Sequence, residues 1–126
     1  YSQMQIGGIL LKKKEYKTAT EYLLEAENMI KDLNKQKFYD KVFDLDLILY
    51  HILGYLCDSY SYTHDKNKFT PNKQKYVSLS EGLKKHRLLQ CYKKIKDCYQ
   101  RLNNKKMYSV YASKYDSLNI IMQKPE

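Results

Sequence analysis

Residues 6–26 hold two amphipathic segments on either side of Lys12–Lys14, with small residues at regular positions. Apolar side chains recur there every three or four residues, a spacing typical of helices that pack on one face. Gly7, Ala19 and Ala26 lie where two such helices would meet, and small side chains let helix axes approach closely. The segment therefore predicts a helix, a tight turn and a second, antiparallel helix.

The spacing of these residues resembles one tetratricopeptide repeat. The positions that match the family's Leu-Gly pair, first-helix aromatic, second-helix aromatics and two alanines are Ile6-Gly7, Leu10, Tyr16, Ala19, Tyr22, Leu23 and Ala26. Because one helical hairpin cannot bury its apolar face alone, the resemblance implies stacked helix pairs and a groove. Leu53-Gly54 with Cys57 resembles the first helix of a second repeat, whose second helix would contain Cys91, Ile95 and Cys98.

Apolar periodicity along the whole chain predicts an all-α fold. We expect about five helices, stacked as antiparallel helical hairpins in a tetratricopeptide-like α-solenoid fragment, over residues 2–13, 16–34, 37–62, 81–103 and 105–122. The third helix is apolar on most sides, which predicts a central position. Residues 63–80 lose the periodicity and contain Pro71, so we predict a long mobile loop there, with Ser80 capping the next helix.

The length of 126 residues predicts a single helical domain over 1–126. Because the chain begins with Tyr1 rather than Met, we expect a fragment of a larger protein, and a processed chain is the alternative. No apolar run approaches the roughly 18 residues of a membrane span. The three cysteines have no metal-binding spacing, which predicts small core residues in a reducing, intracellular compartment, either the cytoplasm or the nucleus.

We find no sequence signature of catalysis. His51, His64 and His86 form no pair at a metal-binding spacing, and no Gly-Lys-Ser/Thr follows Gly7-Gly8, as a phosphate loop would need. His51 is expected to be a core or groove histidine with one hydrogen bond. We therefore expect no enzyme, with no catalytic residue, metal or cofactor.

The resemblance implies that the first helix of each repeat lines a concave surface that binds a segment of a partner protein. By position the lining would be Met4, Gly8, Leu11, Lys12, His51, Tyr55, Asp58 and Ser59. For each of them, packing against a neighbouring helix is the alternative. The family's two-carboxylate clamp for chaperone tails uses Lys and Asn at the places of Met4 and Gly8, so we do not expect chaperone C-termini as ligands.

The net charge of +9 raises a second hypothesis, a basic helical domain that binds RNA, DNA or another acidic surface. A basic cluster occupies Lys84–Arg87 and Lys93, Lys94 and Lys96. Only Arg87 and Arg101 are arginines, the residue that specific nucleic-acid readers favour. The cluster would equally form the solvated back of an amphipathic helix, so the scaffold hypothesis leads. The oligomeric state does not follow from the sequence.

Overall fold

The computed structural model describes residues 2–34 and 44–124, which form six α-helices and no strand. The helices are α1 (Ser2–Lys12), α2 (Tyr16–Asn34), α3 (Leu45–Tyr62), α4 (Lys66–Glu81), α5 (Lys85–Arg101) and α6 (Lys105–Gln123). The predicted all-α class is confirmed. None of these six helices is long and apolar enough to cross a membrane.

Three turns of three residues each join α1 to α2, α3 to α4 and α5 to α6 with one shared geometry. The middle residue has a positive φ in every case, 64° at Lys14, 55° at His64 and 58° at Asn103. Its N–H donates to the carbonyl three residues earlier, and the next N–H donates to the carbonyl five residues earlier. This Schellman geometry satisfies carbonyls at the end of the first helix, so each turn closes a helical hairpin in the same way.

The hairpins contact one another in chain order. α3 packs on both α1 and α2, and α5 packs on both α3 and α4. Because α3 touches four other helices, it is buried on several sides, and Leu45, Ile52, Leu53 and Leu56 are at most 1 % exposed. The predicted central position of this helix is confirmed.

Close packing of α1 on α2 depends on Gly7. A Cβ atom at Gly7 would lie 2.7 Å from Cγ of Leu23, a fully buried side chain on α2. Ala19 and Ala26 are also buried on the face of α2. The predicted helix, turn and helix over residues 6–26 is therefore present, with small residues at the contact.

The predictions of five helices and of a loop over residues 63–80 are wrong, because α4 occupies most of that segment. The Asp65 side chain accepts a hydrogen bond from the N–H of Lys68 and caps α4. Phe69 and Tyr76 lie two helical turns apart and are each 1 % exposed, so two aromatic side chains anchor an otherwise largely polar helix. Pro71 is the sixth residue of α4 and is exposed.

One helix cap and two helix starts also differ from the predicted ones. Ser80 does not cap α5; it is buried in the last turn of α4, where its hydroxyl donates to the carbonyl of Tyr76. α5 begins at Lys85 instead of 81. The predicted third helix begins at Leu45 in the described residues, capped by Asp44, and its predicted part over 37–43 lies outside them.

The segment with Cys91, Ile95 and Cys98 is not the second helix of a second hairpin. It lies on α5, the first helix of a third hairpin, because α4 already pairs with α3. The sequence prediction missed this shift because it treated the residues of α4 as a connection. α6 is the second helix of that third hairpin.

Candidate functional site

Two of the predicted groove residues, Met4 and Ser59, are buried in the packing between helices. Met4 is 7 % exposed and belongs to the hydrophobic core. The Ser59 hydroxyl lies within hydrogen-bonding distance of the Thr20 hydroxyl and donates to the carbonyl of Tyr16 at 3.2 Å, which ties α3 to α2. For both residues, the structure agrees with the alternative expectation that they pack against a neighbouring helix.

The other predicted residues of α1 have three different surroundings. Gly8 is buried beneath the ring of Tyr55, whose Cζ would lie 3.1 Å from a Cβ atom at that position. Leu11 is half-buried against the core, and Lys12 is exposed. Of the three, Gly8 has the most direct contact with another predicted groove residue, because its missing side chain leaves room for the Tyr55 ring.

His51, Tyr55 and Asp58 converge on an open cavity of about 350 Å³. This cavity lies between α3 and α5, and we call it the α3–α5 cavity. Its remaining lining consists of Tyr50 and Gly54 on α3, Tyr76 on α4, and Gln90, Lys93, Lys94, Asp97 and Arg101 on α5. The structure thus brings together three of the eight predicted groove residues and adds a wall from α5 that the sequence analysis did not include.

Asp58 holds the two walls of the cavity together. Its Oδ2 accepts a hydrogen bond from Lys94 Nζ at 2.6 Å, and its Oδ1 accepts one from Arg101 Nη1 at 3.3 Å. Arg101 Nη1 also donates to the Ser61 hydroxyl at 2.6 Å. One carboxylate therefore faces two cations, and the group carries one net positive charge.

Lys94 keeps its charge despite its position in the wall. Burial acts to lower the pKa of Lys94, but the charge of Asp58 and the hydrogen bond to it outweigh burial, so the pKa is above the ordinary value for lysine. Burial likewise acts to lower the pKa of Arg101, and the surrounding groups, Cys98 and Asp58 foremost, raise it on balance. Both side chains are cations at neutral pH.

Aromatic rings fix these cations in place. Lys94 Nζ lies 5.3 Å from the centroid of the Tyr55 ring, and the Arg101 guanidinium lies 4.1 Å from that of Tyr62. Tyr62 also stacks on Tyr16, with centroids 4.7 Å apart and planes 7° from parallel. Such cation–π contacts contribute about 0.5–2 kcal/mol each, so they favour one orientation of the α5 wall.

His51 experiences the positive charge of that wall. Burial lowers the pKa of His51, and the charges of Arg87 and Lys94 on α5 lower it further. The ring of Tyr50 meets the imidazole edge-on at 5.2 Å. The surroundings therefore favour the neutral imidazole, in which one nitrogen donates a hydrogen bond and the other accepts one.

The cysteines lie in the core, as predicted. All three are buried, and burial is the main cause that raises the pKa of both Cys91 and Cys98 to about 12. Burial raises the pKa of Cys57 as well. Because a thiol reacts as its thiolate, burial and the raised pKa values disfavour reaction of these thiols in the folded chain. Within residues 2–34 and 44–124, no group of three or more His, Cys, Asp or Glu side chains has a metal-binding arrangement.

The predicted basic cluster is partly exposed to solvent and partly in the lining of the α3–α5 cavity. Lys84, Lys85 and His86 are exposed, whereas Lys93 and Lys94 line the α3–α5 cavity. The sequence does contain a signal for this wall: Gln90, Lys94, Asp97 and Arg101 recur at steps of four, three and four residues, in a row beside the apolar face of α5.

Comparisons with protein-family models, curated proteins and solved structures gave no match to this chain.

Proposed function

We propose that the protein is a non-catalytic scaffold that binds a segment of a partner protein in the groove between α3 and α5. The observation that carries the proposal is the α3–α5 cavity, where His51, Tyr55 and Asp58 face a wall from another hairpin. The cavity combines three tyrosines with five charged side chains, and aromatic anchors next to charged groups are common where a protein binds side chains of a partner segment.

The architecture that we propose is a tetratricopeptide-like α-solenoid. In a solenoid each repeat contacts its neighbours in chain order, and the first helix of each hairpin faces the concave side. The contacts of α3 with the first hairpin and of α5 with the second agree with that order. So does the position of Tyr55 over Gly8, which sets the first helices of two hairpins side by side.

A binding role without catalysis is supported by the chemistry of the cavity. Its most buried charges, Asp58, Lys94 and Arg101, pair with one another. Such pairing fixes geometry and leaves no activated nucleophile or base at that point. His51 lies beside Tyr50, and the charges that lower its pKa are those of Arg87 and Lys94, which does not favour a general base at this position.

The test is selection from a library of random dodecapeptides on the immobilised protein, followed by binding measurements with Tyr55→Ala. Aromatic anchors usually carry a large share of the affinity of such sites, and we expect Tyr55→Ala to weaken the selected peptides about tenfold or more. Tyr115→Ala on α6 is the matched control, since Tyr115 is also half-buried and under a lysine. Equal binding by wild type and Tyr55→Ala would contradict the proposal.

A second candidate, binding of RNA or DNA, is supported by lysines at the three hairpin turns. The contacts of Tyr16, Tyr62 and Arg101 bring the ends of three hairpins to one edge. Exposed lysines on that edge are Lys12, Lys13, Lys14, Lys66, Lys68, Lys105 and Lys106. This candidate predicts a gel shift with generic RNA that weakens steeply with salt, through counterion release. The absence of a shift at low salt would end it.

A further inference from the structure

The two walls of the α3–α5 cavity differ sharply in charge. α5 carries six lysines and arginines against one aspartate. α3 carries no lysine or arginine, two aspartates and four tyrosines. A segment that lies between these walls therefore meets aromatic surface on one side and positive charge on the other.

The positive charge of α5 is only partly neutralised by α3. Asp58 is the one carboxylate of α3 that lines the cavity, and both Lys94 and Arg101 bind to it. An ammonium group has three donors, and Asp58 is the hydrogen-bond acceptor of Lys94 among the described residues. Donor capacity and net positive charge therefore remain at the centre of the wall.

Lys93 adds a second cation at the rim. Its side chain is exposed and lines the cavity, and it forms no hydrogen bond or ion pair with the rest of the described chain. Asp97 is the other carboxylate in the lining, and its Oδ1 lies 4.0 Å from Nζ of Lys96, which is not part of the lining. The lowered pKa of His51, caused first by burial and then by Arg87 and Lys94, agrees with a positive potential at this place.

We propose that the α3–α5 cavity receives the carboxylate of an internal aspartate or glutamate in the partner segment. Lys93 and the free donors of Lys94 bind that carboxylate, and a neighbouring apolar or aromatic side chain of the segment packs on Tyr55. The inference rests on the proposed function and adds the chemistry of the ligand. Complementary charge of this kind gives specificity, because a neutral or basic segment leaves the wall unpaired.

The experiment uses random dodecapeptides that are fused to the display protein at their C-termini, so that no terminal carboxylate is free. Peptides selected on the intact protein are sequenced, and the best are synthesised with amidated C-termini in Glu and Gln (or Asp and Asn) versions. Binding is measured by fluorescence anisotropy with wild type, Lys93→Glu and Lys17→Glu. Lys17 is exposed on α2, away from the cavity lining, and the two variants change the net charge equally.

We expect selected peptides to be rich in Asp and Glu, and the amide versions to bind about tenfold more weakly or worse. Lys93→Glu should weaken the acidic peptides to a similar degree, whereas Lys17→Glu should leave them within about twofold. Such factors correspond to the loss of a charged contact in a partly desolvated site.

The outcomes separate the two proposals. Peptides that depend on Tyr55 but bind equally in both versions, and equally to Lys93→Glu, would overturn the carboxylate inference and leave the scaffold proposal standing. Selection of no peptide that prefers wild type over Tyr55→Ala would overturn both. Binding of single-stranded RNA that Lys93→Glu abolishes, and that acidic peptides do not displace, would overturn the inference in favour of nucleic acid in the cavity.

Discussion

At the scale of single residues, two adjacent glycines have different neighbours. A Cβ atom at Gly7 would overlap the Leu23 side chain at 2.7 and 2.8 Å, and Leu23 is fully buried. A Cβ atom at Gly8 would meet the Tyr55 ring at 3.1 Å, and Tyr55 is partly exposed. Because Leu23 is buried and Tyr55 is partly exposed, the Tyr55 ring can move away from a new Cβ atom more easily than Leu23 can.

We predict that Gly7→Ala lowers the free energy of unfolding by about 1–3 kcal/mol, because overpacking against Leu23 outweighs the better helix propensity of alanine. Gly8→Ala is the matched control, with a change between zero and a gain of about 1 kcal/mol. Urea denaturation of both variants provides the measurement. A Gly7→Ala variant that is as stable as Gly8→Ala would show that α1 does not approach α2 so closely.

His51 gives a second prediction at this scale. Burial and the charges of Arg87 and Lys94 lower its pKa in the folded state, so the unfolded state binds a proton first as the pH falls. The stability contributed by the neutral imidazole is therefore complete above the ordinary histidine pKa and is lost as the pH falls through the lowered one.

We expect wild type to lose more free energy of unfolding than His51→Gln between about pH 7.5 and pH 5. The comparison cancels the carboxylates and the two other histidines, which both proteins share. Denaturation at four or five pH values is sufficient. Parallel curves for the two proteins would contradict the placement of His51 beside the α5 wall.

At the scale of helices, α4 is a case in which apolar periodicity does not predict a helix. α2 and α5 have a continuous apolar stripe, and the sequence analysis identified both helices from it. α4 buries only Phe69, Tyr76 and Ser80, and it contains a proline. Its polar residues are stable in a helix because α3 and α5 already supply the surface on which the two rings pack. That support is tertiary, so local sequence does not reveal it.

Pro71 offers a test of α4 itself. Within a helix, proline leaves the carbonyl four residues earlier, here that of Asn67, without its backbone partner. We predict that Pro71→Ala raises the free energy of unfolding by about 1–3 kcal/mol. In a loop the same change would be neutral or destabilising, because alanine adds freedom to the unfolded chain. Chemical denaturation therefore distinguishes a helix over residues 66–81 from the loop that the sequence suggested.

At the scale of the whole molecule, the fold class and first hairpin were predictable, but the composition of the site was not. His51, Tyr55 and Asp58 were identified by their positions in the first helix of the second repeat that the resemblance implies. Lys94 and Arg101 were missed because their helix was expected to be the second helix of the hairpin that α3 opens, a position that the resemblance does not place in the groove. α4 occupies that position, so α5 is the first helix of the next hairpin and supplies a wall of the cavity. Met4 and Ser59 were placed in the groove because a spacing alone does not distinguish a lining position from a buried contact between hairpins.

The proposed function requires that a partner segment binds between α3 and α5. The most direct measurement is a two-dimensional ¹H–¹⁵N spectrum of the protein, titrated with the tightest peptide from the library. We expect the largest shift changes at the amides of Tyr55, Gln90 and Lys93, and we expect Lys93→Glu to remove them. The largest changes at Lys12–Lys14 and Lys105, with the α3 and α5 amides unmoved, would contradict the proposed function.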